Sequence, residues 1–140
     1  MIVIAAENER KLAEEYGDDI IITGVGPLNV IKTLHTLDRN TPILNIGYTG
    51  SNKLPVGTKV EVGYSRLYHP NVDFLEPTYR LGESDITCYS SNDFVLQTDI
   101  EEPAVFDMEL AYILALGFTN VRSIKIVSDN LDIKEYEKLW

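Results

Sequence analysis

The chain has 140 residues, a size that fits one domain and buries roughly two-thirds of the unfolded surface. A composition 44% hydrophobic and 24% charged excludes a disordered chain. The net charge of −10, from 12 basic and 22 acidic side chains, argues against nucleic acid and anionic membranes as partners, since both select basic surfaces.

"MIVIAA" (1–6) is a continuous apolar run and predicts a strand buried on both faces. It is too short for the apolar core of a signal peptide, and no apolar run approaches the roughly 18 residues of a membrane span. "ENERKLAEEYG" (7–17) is rich in helix formers and predicts a helix capped by Gly17. "DIIITGVG" (19–26) predicts a second buried strand that ends in two glycines. Pro27 then starts a helix, with Leu28, Ile31 and Leu34 at helical spacing. "TPILNIG" (41–47) reads as a third strand and "YTGSNKLPVG" (48–57) as turn chemistry.

In "TKVEVGYS" (58–65), Lys59 and Glu61 alternate with Val60 and Val62, which predicts a strand with one solvated face. Residues 66–85, with Pro70, Pro77 and Gly82, read as loop, and "ITCYS" (86–90) as a short strand. Its Cys88 is the one cysteine, so no internal disulfide or paired-thiol metal site can form. The reducing cytoplasm is the expected location. "EPAVFDMELAYILALG" (102–117) predicts one long helix from Pro103 to Gly117. "VRSIKIVS" (121–128) predicts the last strand and "IKEYEKLW" (133–140) a last short helix. Apolar strands alternating with helical patterns predict an α/β single domain over residues 1–140, with a mainly parallel sheet and right-handed crossovers.

In such sheets ligands bind outside the carboxyl ends of the strands, so the residues just after each strand are the candidates. Asp129 follows the last strand. It reads either as an Asx-turn or N-cap residue or as a catalytic carboxyl. Glu109 lies in a segment that is otherwise apolar and has to find partners if it is buried. It reads either as part of a structural ion pair or as an acceptor for the hydroxyls of a ligand. Glu7 and Glu9, after the first strand, suit the first turn of a helix. The glycines in "ITGVGPLN" match neither GxGxxG nor GxxxxGK[ST], and a tight turn explains them. His35 and His69 have no Cys or second His at ligand spacing, so no zinc site and no metal are expected.

In order, these pieces resemble the nucleoside phosphorylase and nucleosidase superfamily, in particular its methylthioadenosine/S-adenosylhomocysteine nucleosidases. "IIITGVGPLNVIKTL" is similar to that family's second strand, Gly-x-Gly turn and helix. "ILNIGYTGSNKLPVGTKVEVG" is similar to its Gly-rich segment, and "YHPNVDF" to a Tyr-His-x-x-Asp-Val loop. "YSSNDFV" resembles Ser-Gly-Asp-x-Phe, "VFDMELAYI" resembles Val-x-Met-Glu-x-x-Ala, and "IKIVSDNLD" resembles Arg-x-Ile-Ser-Asp. The resemblance implies a compact nucleoside phosphorylase-like fold, a three-layer sandwich around a mainly parallel mixed sheet. It implies hydrolysis of a purine nucleoside at its N-glycosidic bond, with no cofactor and a homodimeric assembly.

On the same resemblance, Asp129 is the acid at purine N7, oriented by Ser128. Glu109 holds the ribose 2′- and 3′-hydroxyls, Met108 lies under the sugar and Phe94 packs on the base. Glu9, with Glu7 as second choice, activates water. Gly47 and Tyr48 belong to the Gly-rich binding segment. Lys125, Asn92 and Tyr48 depart from the family's Arg, Asp and small residue, and the bulk of Tyr48 is expected to narrow the pocket. No Arg lies near 24–27 or 44–51, which favours hydrolysis over phosphorolysis. A shortened homologue that binds a nucleoside or acts as a subunit without catalysis is the alternative, and a phosphate-dependent nucleoside phosphorylase the second.

Overall fold

The computed structural model describes residues 1–68 and 78–138, the side chain of Tyr136 excepted. His69 and the "YHPNVDF" segment beyond Tyr68 lie outside the described residues. The strands are β1 (Ile2–Ile4), β2 (Ile20–Ile22), β3 (Ile43–Ser51), β4 (Lys59–Glu61), β5 (Tyr64–Leu67), β6 (Tyr79–Arg80), β7 (Thr87–Ser90), β8 (Ala104–Asp107) and β9 (Val121–Asp129). The helices are α1 (Arg10–Ala13), α2 (Pro27–Leu34), α3 (Leu110–Ala115) and α4 (Ile133–Glu137), with a 3₁₀ turn at Glu7–Glu9.

All these strands join one mixed sheet in the order β2-β1-β3-β8-β7-β5-β6, with β9 pairing β3 and β4. The β1–β2, β1–β3, β3–β9, β5–β7 and β7–β8 pairs are parallel, whereas β3–β8, β4–β9 and β5–β6 are antiparallel. The sheet is thus mainly parallel. Its spine is the β3–β9 pair, which runs from Ile43↔Val121 to Thr49↔Val127 and then shifts so that Gly50 faces Asp129. Such an irregularity re-aims side chains, and here it falls where the candidate site begins.

Alternation along the strands sends side chains to two layers. Ile2, Ile4, Ile46 and Ile124 pack with Ala13 of α1 on one face. Val3, Ile43, Val121 and Val127 pack on the other with Val30 and Leu34 of α2 and Leu110, Ile113 and Leu114 of α3. Helices therefore cover both faces, and the result is a three-layer α/β domain.

Several local expectations are corrected. Residues 102–117 are not one helix. Ala104–Asp107 is a fully buried strand that pairs antiparallel with β3 and parallel with β7. Tertiary pairing overrides the helical pattern there, and Asp107 Oδ2 accepts from the Leu110 amide at 2.9 Å, so α3 starts only at Leu110. Tyr48–Ser51 extends β3 instead of turning, and the loop expected over 66–85 holds the end of β5 and the short β6. The first helix ends at Ala13, so Gly17 does not cap it. In α2, Pro27 starts the helix as expected, but Val30 and Leu34 face the core while Leu28 is 80% and Ile31 45% exposed. The buried stripe is rotated from the one read by spacing.

Candidate functional site

One cavity lies at the carboxyl ends of β1, β3 and β8. Its wall is built by Ala5, Ala6 and Glu9 after β1, Val25 before α2, Tyr48, Thr49 and Gly50 of β3, Asp93 and Phe94 after β7, and Phe106 to Glu109 across the β8–α3 junction. Asn8, Val95 and, after β9, Leu131 complete it. The cavity is tight, with about 50 Å³ for the centres of water molecules. Asn8 and Tyr48 also border an open surface groove of about 480 Å³, lined by Glu7, Arg10, Lys11, Glu14 and Lys138.

Glu9 is buried, and its carboxylate accepts from three backbone amides: Ala5 at 2.9 Å, Ala6 at 3.2 Å and Tyr48 at 2.7 Å. It thus staples the end of β1 to β3. Burial pushes its carboxyl above the ordinary value against the pull of Lys125 and of the three amides. Gly47 makes room for it, since a Cβ there would stand 2.6 Å from Glu9 Oε2. Glu7 is instead exposed, paired with Arg10 at 2.6 Å, and faces the outer groove. The structure therefore separates the two glutamates that the sequence left as alternatives.

Glu109 sits at the N-cap of α3, 8% exposed, and accepts from the Gly26 amide at 2.8 Å. Gly26 has φ 93°, a left-handed conformation that glycine adopts without strain and that aims its N–H at Glu109. Burial, with Asp107 nearby, raises the Glu109 carboxyl to about 7. Beneath it lies a buried ion pair that sequence reading missed: Lys125 Nζ donates to Asp107 Oδ2 at 3.0 Å. The Ser90 hydroxyl donates to the other Asp107 oxygen. The signal was a lysine inside the apolar run "SIKIVS". Its partner was hidden by the helical reading of "AVFDM". Lys125 is held well above its ordinary value by Asp107, against the effect of burial.

Met108, Phe94 and Tyr48, three of the sequence's candidates, line the cavity. Val25 and Asp93, in the segments just after β2 and β7, line it too, as does Phe106, which stacks on Tyr89 with ring centroids 5.7 Å apart. Asp129, Ser128 and Gly47 are not part of the wall. Asp129 is fully buried at the end of β9, where its carboxylate accepts from Ser128 Oγ at 2.8 Å and from the Leu131 amide at 3.0 Å. Burial raises its carboxyl, and those hydrogen bonds oppose the rise.

Among the described residues no group of three or more His, Cys, Asp or Glu side chains is gathered as a metal site. No helix among them is long and apolar enough to cross a membrane.

No family model and no curated protein matches this sequence. Solved structures do match. The S-adenosylhomocysteine nucleosidase of Streptococcus pyogenes, in complex with 5-methylthiotubericidin, superposes with a TM-score of 0.76 over 99% of this chain and 86% of its own, at 15% identity. A Helicobacter pylori nucleosidase carrying an Asp-to-Asn mutation, with 5′-methylthioadenosine in the active site, gives 0.78 at 12% identity over 98% and 89%. The Neisseria meningitidis 5′-methylthioadenosine/S-adenosylhomocysteine nucleosidase, with methylthio-immucillin-A, gives 0.75 at 17% identity over 99% and 88%. The chain has the nucleosidase fold. Within that fold the cavity occupies the end of the sheet where open α/β proteins bind ligands. Glu9 and Glu109, the two carboxyls with raised values on its wall, come from segments far apart in sequence.

Proposed function

We propose that this protein hydrolyses the N-glycosidic bond of a purine nucleoside of the 5′-methylthioadenosine or S-adenosylhomocysteine kind, releasing the free base and a ribose derivative. The observation that carries the reading is the convergence of Glu9, Glu109, Met108 and Phe94 on one cavity in a nucleosidase fold. The Glu109 carboxylate accepts the ribose 2′- and 3′-hydroxyl hydrogens, and Met108 and Phe94 supply apolar faces for sugar and base. Glu9 takes a proton from water as the water oxygen bonds to C1′. The C1′–N9 bond breaks, and the leaving purine receives a proton at N7 from Asp129. This division into base and acid follows the logic of inverting glycosidases.

Among the described residues the cavity wall carries no Arg or Lys, which supports water over phosphate as the nucleophile. The tight cavity leaves a 5′ substituent room on the Asn8 and Tyr48 side, toward the outer groove. We also propose a cytoplasmic homodimer. The exposed Val25, Leu28 and Ile31 beside the cavity fit a second copy as their cover.

A second reading, binding without turnover, is favoured by one observation: Asp129 is closed off from the cavity. The two are separated by incubating 5′-methylthioadenosine with the protein and following adenine by chromatography, beside calorimetry. Released adenine supports hydrolysis, and a binding isotherm without adenine supports the second reading.

A further inference from the structure

Leu131 is the one non-glycine residue among the described residues with left-handed backbone, at φ 65°. A bulky residue in that region is strained, and strain of this kind gathers at ligand clamps and switches. Leu131 is held there from two sides. Its amide donates to Asp129 Oδ2 at 3.0 Å, and its side chain forms part of the cavity wall. The two contacts meet over Gly50. A Cβ built on Gly50 would touch both Asp129 Oδ2 and Leu131 Cδ2 at 3.0 Å, and Gly50 itself faces the cavity. At this point the wall is Leu131, whereas Asp129 behind it has no exposed surface.

Two neighbours fix the ends of the segment. The Asn130 side chain donates to Ser51 O at 3.0 Å and to Leu54 O at 2.8 Å. The Asp132 side chain accepts from the Lys134 amide at 2.9 Å at the start of α4. Leu131 thus lies between two anchored positions.

We propose that Leu131 is a positioning residue that covers Asp129: it keeps the carboxyl dry and bonded to its own amide until a nucleoside in the cavity displaces the side chain and bonds to the uncovered carboxyl, its N7 accepting from the protonated acid. The proposal rests on the nucleosidase reading for the identity of the ligand, but the cover itself does not. Relief of the left-handed strain favours displacement, and the half-buried leucine side chain opposes it. Dryness matters to the acid, since burial is what holds the Asp129 carboxyl above its ordinary value. The charged groups facing it are few, Glu135 being the one whose charge adds to the rise.

The test compares wild type with Leu131→Gly and Leu131→Ala. Glycine suits the left-handed backbone, so the first variant folds without strain. Alanine keeps the backbone penalty and removes only the cover. Titration of the Asp129 side-chain carboxyl by NMR needs no turnover. It is expected to move toward the ordinary Asp value in both variants as water reaches the group. With 5′-methylthioadenosine, kcat/KM below the Asp129 titration is expected to rise about tenfold in Leu131→Gly, the order of uncovering a half-buried leucine. The falling limb of its pH profile is expected to move to lower pH, which a merely structural leucine would not cause. Unchanged Asp129 titration in both variants overturns the cover. If the titration moves but no variant releases adenine, the cover stands and the nucleosidase reading fails.

Discussion

Glu109 gives a prediction whose size follows from its surroundings. Its carboxyl is almost wholly buried, and burial pushes it from the ordinary 4.5 up to about 7. Each pH unit of that interval is worth about 1.36 kcal/mol. The folded state binds the Glu109 proton more tightly than the unfolded state does. Its contribution to stability is therefore fully present below about pH 4.5 and is lost as pH rises through 7, a loss of about 3 kcal/mol. Glu109→Gln removes the ionisation and keeps an oxygen that can accept from Gly26. Urea unfolding from pH 5 to pH 8 is expected to show the variant within about 1 kcal/mol of wild type at pH 5. At pH 8 the variant is expected to be the more stable by about 3 kcal/mol. The same variant is expected to lose nucleoside affinity, because its single acceptor oxygen, already bonded to the Gly26 amide, has one lone pair left for two hydroxyls, and the amide bonds lack the carboxylate's charge. Parallel stability curves across that range would refute the reasoning, since they would mean that Glu109 carries no buried-charge penalty.

Two further predictions follow from the groups beneath and beside it. Lys125→Met leaves Asp107 buried without its cation and is expected to cost about 3–5 kcal/mol, read by urea unfolding at pH 7. Gly47→Ala drives a methyl group to 2.6 Å from Glu9 Oε2 in ordinary backbone. It is expected to displace Glu9 with a stability loss of about 1–3 kcal/mol and to depress kcat for base release more than it raises KM. Unchanged kcat in a folded Gly47→Ala protein would remove Glu9 from the role of base.

The parts of the fold legible in the sequence were those where one local signal acted alone. The apolar runs around Ile2–Ile4, Ile20–Ile22 and Val121–Val127 could be little else than strands, although Ile20–Ile22 proves a half-buried edge strand and not a buried one, and Pro27 marked a helix start. Reading failed where tertiary pairing decided. "AVFD" became a strand because β3 and β7 flank it, and no local pattern separates it from the helix that follows. In α2 the exposed Leu28 and Ile31 imitated a core stripe.

At the site, order along the chain and a family resemblance picked out Glu9, Glu109, Met108, Phe94 and Tyr48, which the structure gathers in one cavity, and also Asp129, Ser128 and Gly47, which lie off its wall. Lys125 with Asp107 was not found as a pair, because a buried ion pair is a property of two strands and has no sequence spacing. The covering of Asp129 by Leu131 was equally invisible, since it depends on one backbone angle after β9.

The most direct test of the central claim is base release from a panel of purine nucleosides, 5′-methylthioadenosine and S-adenosylhomocysteine among them, with and without inorganic phosphate. The account predicts free adenine from at least one of them without phosphate, and its loss in Asp129→Asn. Nucleosides left intact under every condition, or base released only when phosphate is added, would contradict it.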